Sequence, residues 1–140
     1  MQTLSADIYT KLVSAKLFID RHFDEAVDLE TVASNAHLSS FHFHRLFTKV
    51  YHITPHQYLT KKRLQKAKEL LKTNELSIAG ICTDIGFESH GSFSSLFKKH
   101  HGLAPRSYRN KVQEQKEKAA YQPACVIPHC FIAPHSPEEK

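Results

Sequence analysis

The sequence has no tryptophan, one methionine, four glycines and three cysteines in 140 residues. Each scarcity removes a class of protein. Gly80, Gly86, Gly91 and Gly102 form neither a Walker loop nor a G-x-G-x-x-G turn, so no glycine-rich nucleotide cradle is present. H-E-x-x-H and paired-carboxylate arrangements are missing as well, so the chain reads as a non-enzyme with no cofactor. Cys82, Cys125 and Cys130 are odd in number and follow no secretory segment, which argues against a disulfide scaffold. Met1 to Lys11 has no apolar signal core, and no run approaches the ~18 apolar residues of a membrane span. A cytoplasmic protein without a membrane partner is expected. No alternating Val/Ile/Thr-rich run is found either, which leaves an all-α fold.

What is present is a 41% hydrophobic chain, enough for packed cores, with a formal net charge of +5 and a pI of about 9.1. The charge comes in blocks. Residues 1–36 carry −3, residues 37–72 carry +7, residues 73–88 carry −3, residues 89–112 carry +5 and residues 113–140 carry −1. Two basic blocks, each preceded by an acidic one, point to a polyanionic partner more strongly than the net charge does.

Helical periodicity recurs throughout. Ile8, Leu12, Ala15 and Ile19 share one face of a first helix over residues 7–23. Asp28 is placed to cap a short helix bearing Leu29, Val32, Ala33 and Ala36. A tight His37-Leu38-Ser39 connection leads to a helix capped by Ser39 or Ser40, with Phe43, Leu46, Phe47 and Val50 at 0, 3, 4, 7. Thr54-Pro55-His56-Gln57 is a capping box with proline in the first turn, and it opens a long helix to about Lys72. The pattern then repeats. Ser77 caps a helix with Ile78, Ile81, Cys82 and Ile85. Gly86 makes the turn and Ser89 caps a helix with Phe93, Leu96, Phe97 and His100 at the same spacing. Gly102 stops it and Pro105 starts the last helix, which Gln113–Lys118 extends.

The repeat has an offset of 50. Phe43, Leu46, Phe47, Lys49, Pro55 and Tyr58 correspond to Phe93, Leu96, Phe97, Lys99, Pro105 and Tyr108. Short helix, tight turn, second helix with a polar outer face: this is helix-turn-helix organisation, present twice. The predicted domains are a first helix-turn-helix subdomain over 7–53, a linker helix over 54–72, a second subdomain over 73–112, and a partly irregular extension over 113–140. About seven helices are expected. A helical adaptor that binds protein, with weak or no sequence-specific DNA binding, is the alternative the repeat alone leaves open.

These residues carry a family resemblance. Ala36-His37-Leu38-Ser39-Ser40-Phe41-His42-Phe43-His44-Arg45-Leu46-Phe47 resembles the first recognition segment of AraC-type (AraC/XylS) transcription regulators. Thr54-Pro55-x-x-Tyr58-Leu59 with Arg63-Leu64-x-x-Ala67-x-x-Leu70-Leu71 resembles their linker helix. Ile78 through Arg109 resembles their signature second half. The resemblance implies a bacterial regulator whose two recognition helices enter adjacent major-groove segments about one helical turn apart, roughly 34 Å. It also implies contact with RNA polymerase and a monomer or weak dimer on DNA. His37 and His52 stand where glycine is frequent, and Ser95 stands where many members carry arginine. A separate effector or dimerisation domain, common in such regulators, does not fit in the 28 residues after Val112, which leaves either a protein acting alone and controlled by its abundance or a fragment of a longer one.

The candidate base readers are Phe41, His44 and Arg45 in the first unit, and His90, Gly91, Ser92 and Ser95 in the second. Arg45 suits bidentate bonding to guanine O6 and N7, with a phosphate contact or surface ion pair as its plainer role. Phe41 either packs on thymine methyls or is covered by its neighbouring helix. Ser39, Ser40, Lys49, Ser89, Lys98 and Lys99 are candidate phosphate contacts. Surface or core roles account for the histidine pairs His42/His44, His52/His56 and His100/His101. Cys125, His129, Cys130 and His135 have donor atoms suited to a metal but fit no standard spacing, so no metal is assigned.

Overall fold

A computed structural model describes residues 4–121. They form seven helices and no strand: α1 (Ala6–His22), α2 (Leu29–Asn35), α3 (Ser40–Tyr51), α4 (Pro55–Lys72), α5 (Ile78–Asp84), α6 (His90–His101) and α7 (Pro105–Tyr121). Cys125, His129, Cys130 and His135 lie outside the described residues.

Helix starts follow the side chains that can accept an orphan backbone N–H. Ser39 Oγ accepts from His42 N at 3.1 Å and Ser89 Oγ from Ser92 N at 3.2 Å. Asp28 accepts from Glu30 N at 3.0 Å, and Ser77 from Gly80 N at 2.9 Å. The α4 capping box is complete: Gln57 N donates to Thr54 Oγ1 at 3.1 Å, and Thr54 N donates to Gln57 Oε1 at 3.2 Å.

The helix ends are duplicated too. In the α2–α3 turn, Leu38 N donates to Ala33 O and His37 N to Ser34 O, both at 2.9 Å. In the α5–α6 turn, Phe87 N donates to Cys82 O at 3.0 Å and Gly86 N to Thr83 O at 3.1 Å. Both are Schellman closures around a left-handed residue, His37 at φ 58° and Gly86 at φ 86°. After the recognition helices, His52 (φ 61°) and Gly102 (φ 83°) each donate four residues back, to Thr48 O and Lys98 O at 2.8 Å. Glycine serves the second unit at both places. Histidine accepts the same angles in the first, at a steric cost glycine would avoid.

Two cores result. Leu12, Ala15, Val32, Ala33, Phe43, Leu46 and Phe47 form the first. Leu64, Ala67, Leu71, Ile81, Cys82, Ile85, Phe93 and Phe97 form the second. Each fully buried phenylalanine contributes roughly 1.5–3 kcal/mol of transfer free energy. α2 and α5, seven residues each, are too short to persist alone and exist through these contacts. α4 belongs to both cores: Tyr58 packs against the first, and Leu64, Ala67 and Leu71 lie within the second. At about 1.5 Å per residue its 18 residues span about 27 Å.

One expectation changes. The 0, 3, 4, 7 pattern placed His100 on the inner face of α6, yet His100 is exposed. Its neighbour His101 packs instead, with its ring 4.6 Å from that of Phe97. Tyr51 does the same on Phe47, also at 4.6 Å. The helix turns by about 100° per residue, so position eight lies close to the face of positions zero and four and its ring reaches the phenylalanine at position four.

Candidate nucleic-acid interface

The outer face of α3 is set by its inner one. Phe43, Leu46 and Phe47 are buried, which leaves Phe41, His44, Arg45 and Lys49 exposed beside the Ser39–Ser40 helix start. Phe41 is 71% exposed, so the covered alternative is corrected: no neighbouring helix shields it. The Arg45 guanidinium lies over the Phe41 ring, 5.8 Å from its centroid. This one-turn spacing pre-orients the guanidinium. Arg45 has no ion-pair partner among the described residues, so the plainer role as half of a surface ion pair is not the one adopted.

α6 repeats the arrangement with smaller side chains. Phe93 and Phe97 are buried, and His90, Gly91, Ser92, Ser95, Lys98 and Lys99 are exposed with Ser89 at the cap. A Cβ at Gly91 would meet only Ser89 Oγ, at 3.8 Å. That surface is open and allows close approach of a ligand backbone. All thirteen candidate residues are therefore solvent-accessible and grouped on the two second helices and their caps. Among the candidate base readers, the second unit offers His90 as its one long side chain, where the first offers Phe41, His44 and Arg45.

Two features were not apparent from the sequence. Arg63 of α4 donates from Nε to Phe23 O at 2.6 Å and from an Nη to Glu25 O at 2.8 Å, in the α1–α2 connection. It also lies 5.9 Å from the Phe87 ring centroid, and a Cβ on Gly86 would come within 3.2 Å of the guanidinium and 3.1 Å of Asp24 O. Arg63 thus joins the loop before α2 to the turn before α6. Burial lowers its pKa, opposed by Glu88 and Asp24. Gly86 is required there twice, by its positive φ and by this close approach.

The second feature is Asp20 of α1. It accepts a hydrogen bond from the Tyr58 hydroxyl and pairs with Lys62 at 3.4 Å and Lys16 at 3.6 Å. Burial raises its pKa, but Tyr58, Lys62 and Lys16 together outweigh that and hold the carboxyl below its usual range. This cluster fixes α1 against the linker helix. Contacts made across 38–40 residues leave no periodic signal in the sequence. Among the described residues no group of three or more His, Cys, Asp or Glu is placed to hold a metal ion. No described helix is long and apolar enough to cross a membrane.

A family model described as a helix-turn-helix domain matches residues 32–111, more than half of the chain. The regulatory protein SoxS of Salmonella typhimurium is 32% identical over 95 residues, covering 68% of this chain and 89% of SoxS. The regulatory protein PocR of the same organism is 32% identical over 105 residues. That match covers 75% of this chain but 35% of PocR, so the chain corresponds to about a third of that relative. The DNA-binding domain of AdpA, a global transcriptional factor solved in complex with a target DNA, superposes with a TM-score of 0.72 at 27% identity. It covers 76% of this chain and 96% of that domain. With two duplicated helix-turn-helix units on one linker helix and these matches, the chain belongs to the AraC-type family of helix-turn-helix transcription regulators.

Proposed function

We propose that this protein binds double-stranded DNA sequence-specifically and regulates transcription, with α3 and α6 entering adjacent major-groove segments. The observation that carries the reading is the duplication: two helices with the same caps and stops present exposed polar faces, and both pack on one shared linker helix. In the first unit, Arg45 reads guanine, Phe41 contacts thymine methyls and His44 bonds an adjacent base edge. In the second, His90, Gly91, Ser92 and Ser95 lie close to the bases and carry less sequence information. Ser39, Ser40, Lys49, Ser89, Lys98 and Lys99 hold phosphates. The domain division is 7–53, 54–72 and 73–112. A cytoplasmic location, contact with RNA polymerase, and action as a monomer or weak dimer on DNA accompany this reading.

Quantitative binding to a preferred and a scrambled duplex tests it. Arg45→Ala reduces discrimination by ~1–3 kcal/mol at one position. Lys49→Ala weakens both duplexes alike. Unchanged discrimination in Arg45→Ala removes the reading role. Equal wild-type affinity for both duplexes favours the protein-binding adaptor.

A further inference from the structure

Between the two units runs a groove of about 450 Å³, lined by Ile53, His56, Gln57, Thr60 and Lys61 on one side and Leu96, Lys99 and His100 on the other. Its geometry follows from helix periodicity. His56, Thr60 and Lys61 share a face of α4, and Leu96, Lys99 and His100 share a face of α6. The lining contains two lysines, two histidines, an amide and a hydroxyl, and no carboxylate. On α4, Lys62 is paired to Asp20 and Lys66 to Glu69. Lys61 and Lys99 have no ion-pair partner among the described residues. The adjoining cleft, by contrast, carries Asp24, Asp28 and Glu88 around Arg63. An anion is therefore favoured on the Lys61–Lys99 side. Lys99 sits one turn beyond Ser95, so the groove continues the exposed face of α6.

We propose that this groove is a phosphodiester site: it holds the DNA backbone that crosses between the two major-groove segments. Lys61 and Lys99 neutralise phosphates, while His56, Gln57 and Thr60 supply hydrogen-bonding groups. The linker helix is then part of the DNA interface. The site rests on the DNA-binding reading above and adds to it residues that read no base.

The test uses the whole chain and a duplex chosen for wild-type binding, with affinity measured from 50 to 200 mM salt. Each phosphate contact contributes about 0.9 to the slope of log K against log salt. Lys61→Gln is expected to flatten the slope by about 1, and Lys61→Gln/Lys99→Gln by about 2, with base preference retained. Lys66→Gln removes the same charge outside the groove and is expected to leave the slope unchanged. Replacing spacer phosphates with neutral methylphosphonates should weaken wild type and leave the double variant nearly unaffected. An unchanged slope in Lys61→Gln overturns the site. Equal slopes for Lys61→Gln and Lys66→Gln, or equal sensitivity of both proteins to the neutral spacer, also overturn it. Loss of wild-type base preference would instead contradict the sequence-specific reading, and the slopes remain readable on any duplex.

Discussion

Removing the guanidinium of Arg63 is expected to loosen the two units from one another without abolishing either. Arg63→Met keeps most of the aliphatic stem and deletes the bonds to Phe23 O and Glu25 O, at 2.6 and 2.8 Å. A hydrogen bond from a charged donor contributes about 1.5–3 kcal/mol. The Glu25 end is solvent-exposed and the Phe23 end partly buried, so water recovers part of the loss. A total cost of about 2–3 kcal/mol in urea unfolding follows. Arg63→Lys retains the charge but not the two-pronged geometry, and is expected to cost roughly half as much. The functional readout is the ratio of affinities for a duplex carrying both half-sites and one carrying the first alone. A rigidly held second unit binds at high effective concentration, and loosening it lowers the ratio about tenfold. A destabilised Arg63→Met that keeps the wild-type ratio would refute the orienting role. A variant of wild-type stability would refute the energetic account of the tie.

Further predictions follow from individual positions. Ser95→Arg places a long donor over the open Gly91 surface, and should raise affinity about tenfold for duplexes with guanine in the second half-site, as titrated on matched duplexes. His52→Gly relieves a left-handed angle on a residue with a Cβ; denaturation should show a gain of about 0.5–1 kcal/mol, the αL relief less the added unfolded-state entropy. His101 is partly buried with no partner at Nε2, and burial, with Lys68 and then His100 acting the same way against a bond to the Leu64 backbone, lowers its pKa below 6.5. The unfolded chain then binds the proton more readily, so this contribution is complete above about pH 6.5 and is lost as pH falls toward the lowered value. Unfolding at pH 7.5 and 5.5 should show a shallower acid loss in His101→Phe than in wild type.

Much of this architecture was legible in the sequence because it is local. Ser39, Asp28, Ser77, Ser89 and the Thr54–Gln57 box act on groups two or three residues away, and all five caps form where their side chains allow. The buried phenylalanines follow the 3.6-residue period and are found where it puts them. The left-handed strain at His37 and His52 was foreshadowed by their alignment with Gly86 and Gly102. His100 was misplaced because the period does not distinguish the last inward position from the next when both are histidine. Arg63 read as one more surface cation of a basic helix. Its role depends on carbonyls at Phe23 and Glu25, and backbone acceptors have no sequence signature. Phe41 was undecided between burial and exposure until the neighbouring helix was seen to leave it open.

The central claim is that one chain reads two adjacent major-groove segments. Selection of bound duplexes from a random-sequence pool, with affinities then measured at two salt concentrations, tests it most directly. The account predicts a bipartite, non-palindromic motif with centres about 10 bp apart, better defined in the half read by Arg45, and steeply salt-dependent affinity. No enriched motif, with weak binding at both salts, would contradict it.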